Sequence, residues 1–133
     1  MSNPKAGWNA WVAKAENDLL AIDNNLAASR VPWDVVAFHA QQVAEKYLKA
    51  YLRLGGDDPP KTHDLPNLLA LCARKDPTLN VIADPCVFLS RLGVVAGYPD
   101  SPAEPTEDDS RKAVRLAREV RQVLRARLPH IPE

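Results

Sequence analysis

Apolar residues recur at intervals of three and four along nearly the whole chain, and strict alternation is almost absent. This pattern predicts helices and no sheet. Five segments emerge. The first, about residues 6–28, sets Trp8, Trp11, Ala15, Leu19, Ile22 and Leu26 along one stripe, with the tryptophans expected in the core. Val31-Pro32 breaks the chain, and Pro32 suits the first turn of a second helix running to about Leu54, where Gly55-Gly56 ends it. After "GGDDPPK", Thr62 or Asp64 can cap a short third helix in which Leu65, Leu68, Leu69 and Cys72 share a face and Pro66 fits the first turn. A fourth segment covers about residues 78–96, with Ile82, Leu89 and Leu92 as core, and Pro85 should kink it or mark its true start. "GYPDSPAEP" reads as a proline-rich loop. Thr106 with Asp109 then resembles a capping box, Asp standing where Glu is usual, at the head of a last helix reaching about Leu128. The predicted fold class is all-α: a bundle of four long helices and one short helix, as a single domain over residues 1–133.

The second helix carries the most mixed surface. In "FHAQQVAEKYLKAYL", with Val36 just before it, Val36, Ala40, Val43, Ala44, Tyr47, Leu48 and Tyr51 fall on one arc at about 100° per residue. His39, Gln42, Glu45, Lys46, Lys49 and Arg53 fall on the opposite arc, together with the aromatic Phe38. That second face is either a solvated side with charge pairs, each contributing a few tenths of a kcal/mol, or a contact surface for a second subunit or a phosphate-bearing ligand. The last helix is divided in the same way. Arg111, Arg115, Arg118, Arg121 and Arg125 line one side, with only Glu119 offsetting them past the first turn. Such a ridge reads either as arginine stems shielding apolar surface or as a phosphate-backbone footprint. Glu107, Asp108 and Asp109 at its start suit the positive end of the helix dipole.

Composition narrows the classes. Basic and acidic residues balance at 17 each, so no global field draws the chain to nucleic acid or membrane, and any attraction is local. The N-terminus lacks a basic-then-apolar signal pattern, and no apolar run approaches the roughly 18 residues of a membrane span; a cytoplasmic protein is expected. Cys72 and Cys86 stand apart without metal-ligand neighbours and read as buried thiols. No Gly-rich phosphate loop, zinc-ligand pattern or serine elbow occurs, so neither metal nor cofactor is expected. His63 in "KTHDLP" is the weak catalytic candidate, because histidine exchanges protons near neutral pH; beside Asp64 it reads equally as a structural residue. His39 and His130 carry less signal. Tyr98-Pro99-Asp100 reads as a turn.

Taken in order, Trp11, Ala15, Asp18 and Leu19 in helix one, then "AFHAQQVAEKYLKAYL", then "THDL", then "YPD" before the capped last helix resemble the HEPN family, the higher eukaryotes and prokaryotes nucleotide-binding domains. The resemblance covers almost the entire chain. It implies an all-helical, HEPN-like up-and-down bundle, usually a symmetric homodimer with a cleft at its interface, often encoded beside a minimal nucleotidyltransferase as a toxin–antitoxin pair. Carried over by position, Gln42, Glu45, Lys46 and Lys49 match the helix-two block, His63 and Asp64 the "HDL" element, and Tyr98 and Asp100 the "YPD"; these eight are the implied ligand-binding residues. Two departures stand out. Nuclease members carry an Arg followed about four to six residues later by a His near the cleft, and no such pair occurs around the fourth segment. Arg125 and His130 have the spacing, but they lie at the chain's end with Pro129 between them. Gly97 stands where many similar members have Arg before "YPD". The expectation is therefore a non-enzymatic or degenerate domain binding a nucleotide or RNA. The alternatives are a metal-independent RNase using His63 as general base, and a purely protein-interacting homodimeric module.

Overall fold

The computed structural model describes residues 7–95 and 104–130. Its elements are α1 (Trp8–Leu26), α2 (Trp33–Leu54), α3 (Leu65–Lys75), a 3-10 turn (Pro77–Ile82), α4 (Ala83–Val95) and α5 (Glu107–Arg125), with no strand among the described residues. The chain is all-α, as the periodicity predicts. The fourth helix is shorter than expected, 13 residues. Asp76 accepts from the Thr78 N–H at 3.0 Å and starts the 3-10 turn, which takes up the first part of the predicted segment. Pro85 then sits in the first turn of α4, where a missing N–H costs no helical hydrogen bond.

The other ends follow their local chemistry. Gly56, at φ 90°, turns the chain out of α2 through the left-handed region that a side chain disfavours. Asp64 rather than Thr62 caps α3, accepting from the Asn67 N–H at 3.2 Å. Both halves of the α5 capping box are present: the Thr106 hydroxyl accepts from the Asp109 N–H at 3.0 Å, and the Asp109 carboxylate accepts from the Thr106 N–H at 3.4 Å.

Side-chain pairings give the directions. Asp18 meets His39 and Glu16 meets Tyr47, so α1 and α2 run antiparallel. Asp23 meets Arg118 and Glu16 meets Arg121, so α5 also opposes α1. Helix α3 instead runs in the direction of α2: His63 lies at Glu45, Cys72 at Leu48, and the Lys75 side chain against Gly55. The connection through Pro59 and Pro60 therefore travels back along α2 before α3 begins. Proline holds such a segment extended. From the end of α3 the 3-10 turn leads into α4, whose Ser90 reaches back to Leu65 at the start of α3.

The core is one cluster with α2 at its centre. Val36, Ala40, Val43, Ala44, Tyr47 and Leu48 are fully buried, as their arc predicts. Trp8 and Trp11 differ from expectation: they are half-buried, packed against the core from its edge. Cys72 and Cys86 are buried free thiols, both pushed up to about 12 by desolvation.

The arginine ridge of α5 is largely neutralised, by ion pairs that neither of its two sequence readings named. Arg121 donates twice to Glu16, at 2.8 Å each, and Arg125 adds a longer bond to the same carboxylate at 3.4 Å. Arg118 pairs with Asp23 at 2.9 Å. Arg111 pairs with Glu107 at 2.9 Å and lies over the Trp33 ring at 4.9 Å. Carboxylates of α1, together with Glu107 in the first turn of α5, thus consume the charge that looks free along the helix. Arg115 is the exposed member without a partner among the described residues.

Candidate functional site

The polar face of α2 is not a wet surface. Glu45 is 3% exposed and Lys49 6%, although their arc reads as outward-facing in the sequence. Two neighbours cover them. Trp11 of α1 lies against Lys49, whose Nζ stands 5.5 Å from the ring centroid, and the returning segment brings His63 onto Glu45. The structure therefore divides the predicted face into two clusters, each built on a buried carboxylate.

Glu45 is the centre of the first. Its Oε2 accepts from Lys49 Nζ at 3.1 Å, and its Oε1 accepts from Gln41 Nε2 at 3.1 Å. His63 Nδ1 lies 2.8 Å from the same Oε1. A carboxylate only accepts, so this ring nitrogen carries the proton and donates. The Gln41 amide also donates to the His63 carbonyl at 3.3 Å and is itself oriented by Gln42, whose Nε2 donates to Gln41 Oε1 at 2.8 Å. The His63 side chain is nonetheless 79% exposed. Its Nδ1 is anchored inside the fold, while its Nε2 makes no hydrogen bond among the described residues.

Asp18 is the centre of the second cluster. Lys46 donates to one of its oxygens, and His39 Nδ1 meets the other at 2.8 Å. Phe38 stands beside His39 edge-on, 5.5 Å between ring centroids, and is 43% exposed. Phe38, Gln42 and Lys46 thus remain as the accessible strip of α2, between an imidazole anchored on α1 and one anchored on α2 itself.

Two shallow grooves touch the candidate residues. One, of about 370 Å³, is lined by His63, Asp64, Pro66, Val87, Ser90 and Arg91. The other, of about 190 Å³, lies against Trp11, Lys49, Arg53 and the segment from Asp58 to Lys61. A third, of about 390 Å³, lies on the far side of that segment, against Leu71, Arg74 and Lys75, and touches none of the predicted site residues.

Of those residues, Gln42, Glu45, Lys49 and His63 fall in one hydrogen-bonded cluster, Lys46 in the neighbouring one, and Asp64 caps α3 at the groove's edge. Tyr98 and Asp100 lie outside the described residues. Sequence reasoning missed Gln41 and Arg91. Gln41 falls on the boundary between the two arcs of α2, where periodicity assigns no side. Nothing in the local sequence links Arg91 to His63. The Glu45–Lys49 pair itself was legible as an i,i+4 spacing, but its burial was not. No group of three or more His, Cys, Asp or Glu able to hold a metal occurs among the described residues, nor is any helix there long and apolar enough to cross a membrane. The groups gathered here are a fixed imidazole, amides, cations and two buried carboxylates.

No curated protein and no solved structure gives a significant match to this chain. The HEPN domain family matches residues 8–127, nearly the whole chain and every helix described above, so the protein belongs to the HEPN family.

Proposed function

We propose that the accessible strip of α2 and the adjoining His63 form the ligand surface of a non-enzymatic or catalytically degenerate HEPN domain that binds a nucleotide or RNA, as a homodimer. The anchored imidazole of His63 carries this reading. A histidine that only stabilised the loop would have no need to leave most of its ring in solvent, and a purely surface histidine would not be held by a buried carboxylate. Gln42 and His63 supply hydrogen bonds, and Lys46 keeps two of its three ammonium donors after bonding Asp18. Lys49 takes a different role from the one the family match implies: enclosed by Trp11 and bonded to Glu45, it positions that carboxylate instead of gripping phosphate. Exposed Phe38 supports the homodimer, since an aromatic ring on an otherwise polar strip gains by being covered. A minimal nucleotidyltransferase remains the partner the family suggests; co-purification from the native host followed by mass spectrometry tests it.

Titrating nucleotides and short RNAs at several salt concentrations tests the ligand. Binding should weaken as salt rises and should fall in His63→Ala and Lys46→Ala. An absence of binding at low salt removes the nucleic-acid reading. One observation favours the RNase alternative: Glu45 holds the His63 ring with Nδ1–H inward, the tautomer that leaves Nε2 able to take a proton from a ribose 2′-hydroxyl. In that case RNA cleavage persists in chelator and disappears in His63→Ala.

A further inference from the structure

We infer that the groove between the start of α3 and the outer face of α4 is a ribonucleotide subsite, in which Arg91 and Ser90 hold a phosphate while His63 Nε2 accepts from a ribose hydroxyl. This rests on the ligand-binding reading above and adds a residue that neither the helix-two pattern nor the family match points to.

Arg91 is the starting observation. Arg111, Arg118, Arg121, Arg125 and Arg127 each pair with a carboxylate. Arg91 is exposed and makes no ion pair or hydrogen bond among the described residues, yet it lines the same groove as His63. A guanidinium presents several donors in a planar fork that matches phosphate. Ser90 adds a donor: its Oγ accepts from the Leu65 N–H at 3.2 Å, and no acceptor for its own proton occurs among the described residues. The one carboxylate in the lining, Asp64, is engaged with the Asn67 N–H at the positive end of α3, which offsets its charge. The remaining wall is apolar, with Val87 42% exposed and Pro66 beside it. This surface suits the non-polar face of a ribose or base.

The imidazole decides the sugar. With Nδ1–H committed to Glu45, Nε2 of the neutral ring is an acceptor. In that form it pairs with a hydroxyl and not with an ionised phosphate oxygen. A 2′-hydroxyl satisfies it, and a deoxyribose leaves it without a partner. The groove volume, about 370 Å³, suits a single nucleotide unit.

The experiment measures affinity for AMP, dAMP, and matched short oligo-A RNA and DNA by calorimetry, using the full chain and the variants Arg91→Gln, His63→Ala and Lys46→Ala. Circular dichroism confirms the fold of each. Arg91→Gln should weaken AMP and RNA binding by roughly tenfold, the scale of one charge-assisted contact. The wild type should prefer ribose over deoxyribose, and His63→Ala should erase that preference. If Arg91→Gln binds as tightly as wild type while Lys46→Ala binds weakly, the ligand lies along α2. The groove subsite is then wrong and the ligand-binding reading stands. Equal affinity for ribose and deoxyribose in the wild type overturns the role given to His63. If no probe binds the wild type, both readings fail.

Discussion

Removing the Glu45 carboxylate is the sharpest test of how this site is held. Glu45→Ala leaves the Lys49 ammonium beside the Trp11 ring without its carboxylate partner, in a place where the lysine is 6% exposed. Breaking a buried ion pair from one side typically costs about 3–5 kcal/mol, because the survivor's charge stays buried and uncompensated. Lys49→Met should cost less, since Glu45 keeps its bonds from His63 and Gln41, and methionine can still pack on Trp11. The double variant Glu45→Ala with Lys49→Met leaves neither charge of the pair behind and should be more stable than Glu45→Ala alone, with a loss well below the sum of the single changes. Urea unfolding followed by the helical circular dichroism signal measures all of them. At an m-value of about 2 kcal/mol/M, the Glu45→Ala midpoint should fall by roughly 1.5–2.5 M, and its melting temperature by roughly 10–20 °C. A Glu45→Ala loss below about 1 kcal/mol, or additive losses in the double variant, would refute the claim that this pair is buried and coupled.

Other outcomes follow from the same coordinates. The Glu16 carboxyl is held below its ordinary value of 4.5, chiefly by its hydrogen bond from Arg121. A depressed carboxylate contributes stability above its unfolded pKa, and that stability is lost as pH falls through the lower folded value. Wild-type stability should therefore drop on acidification below about pH 4.5, whereas Glu16→Gln should start lower at neutral pH and show a flatter acid limb in pH-dependent urea melts. The Cys72 and Cys86 thiols, both raised to about 12, should resist a thiol-specific disulfide reagent at pH 8 in the folded protein and react fully in denaturant. Thr106→Ala removes one half of the α5 capping box and should cost about 1 kcal/mol in urea unfolding. Phe38→Glu should shift the mass in solution from dimer to monomer; an unchanged mass counts against the proposed interface.

The helices, their ends and most of the core were written locally. A period of 3.6 is visible over a few turns, a cap needs only neighbours three residues apart, and a proline or glycine acts on its own peptide bonds. The capped start of α5, the buried arc of α2 and the buried thiols could therefore be named from residue order. The functional surface was legible only in its ingredients. His63, Glu45, Lys49 and Gln42 were singled out by resemblance, but the sequence read Glu45 and Lys49 as facing outward. Their burial depends on Trp11, more than thirty residues away, and on a proline-stiffened return that carries His63 back along α2. The arginines of α5 were left open between a shield for apolar surface and a phosphate footprint, because Glu16 and Asp23, which neutralise them, lie on α1 at the other end of the chain. Periodicity reports which side of a helix is apolar. Whether its polar side meets water or a distant carboxylate is decided by packing between helices, which paired the α5 arginines with α1 and set His63 on a buried carboxylate.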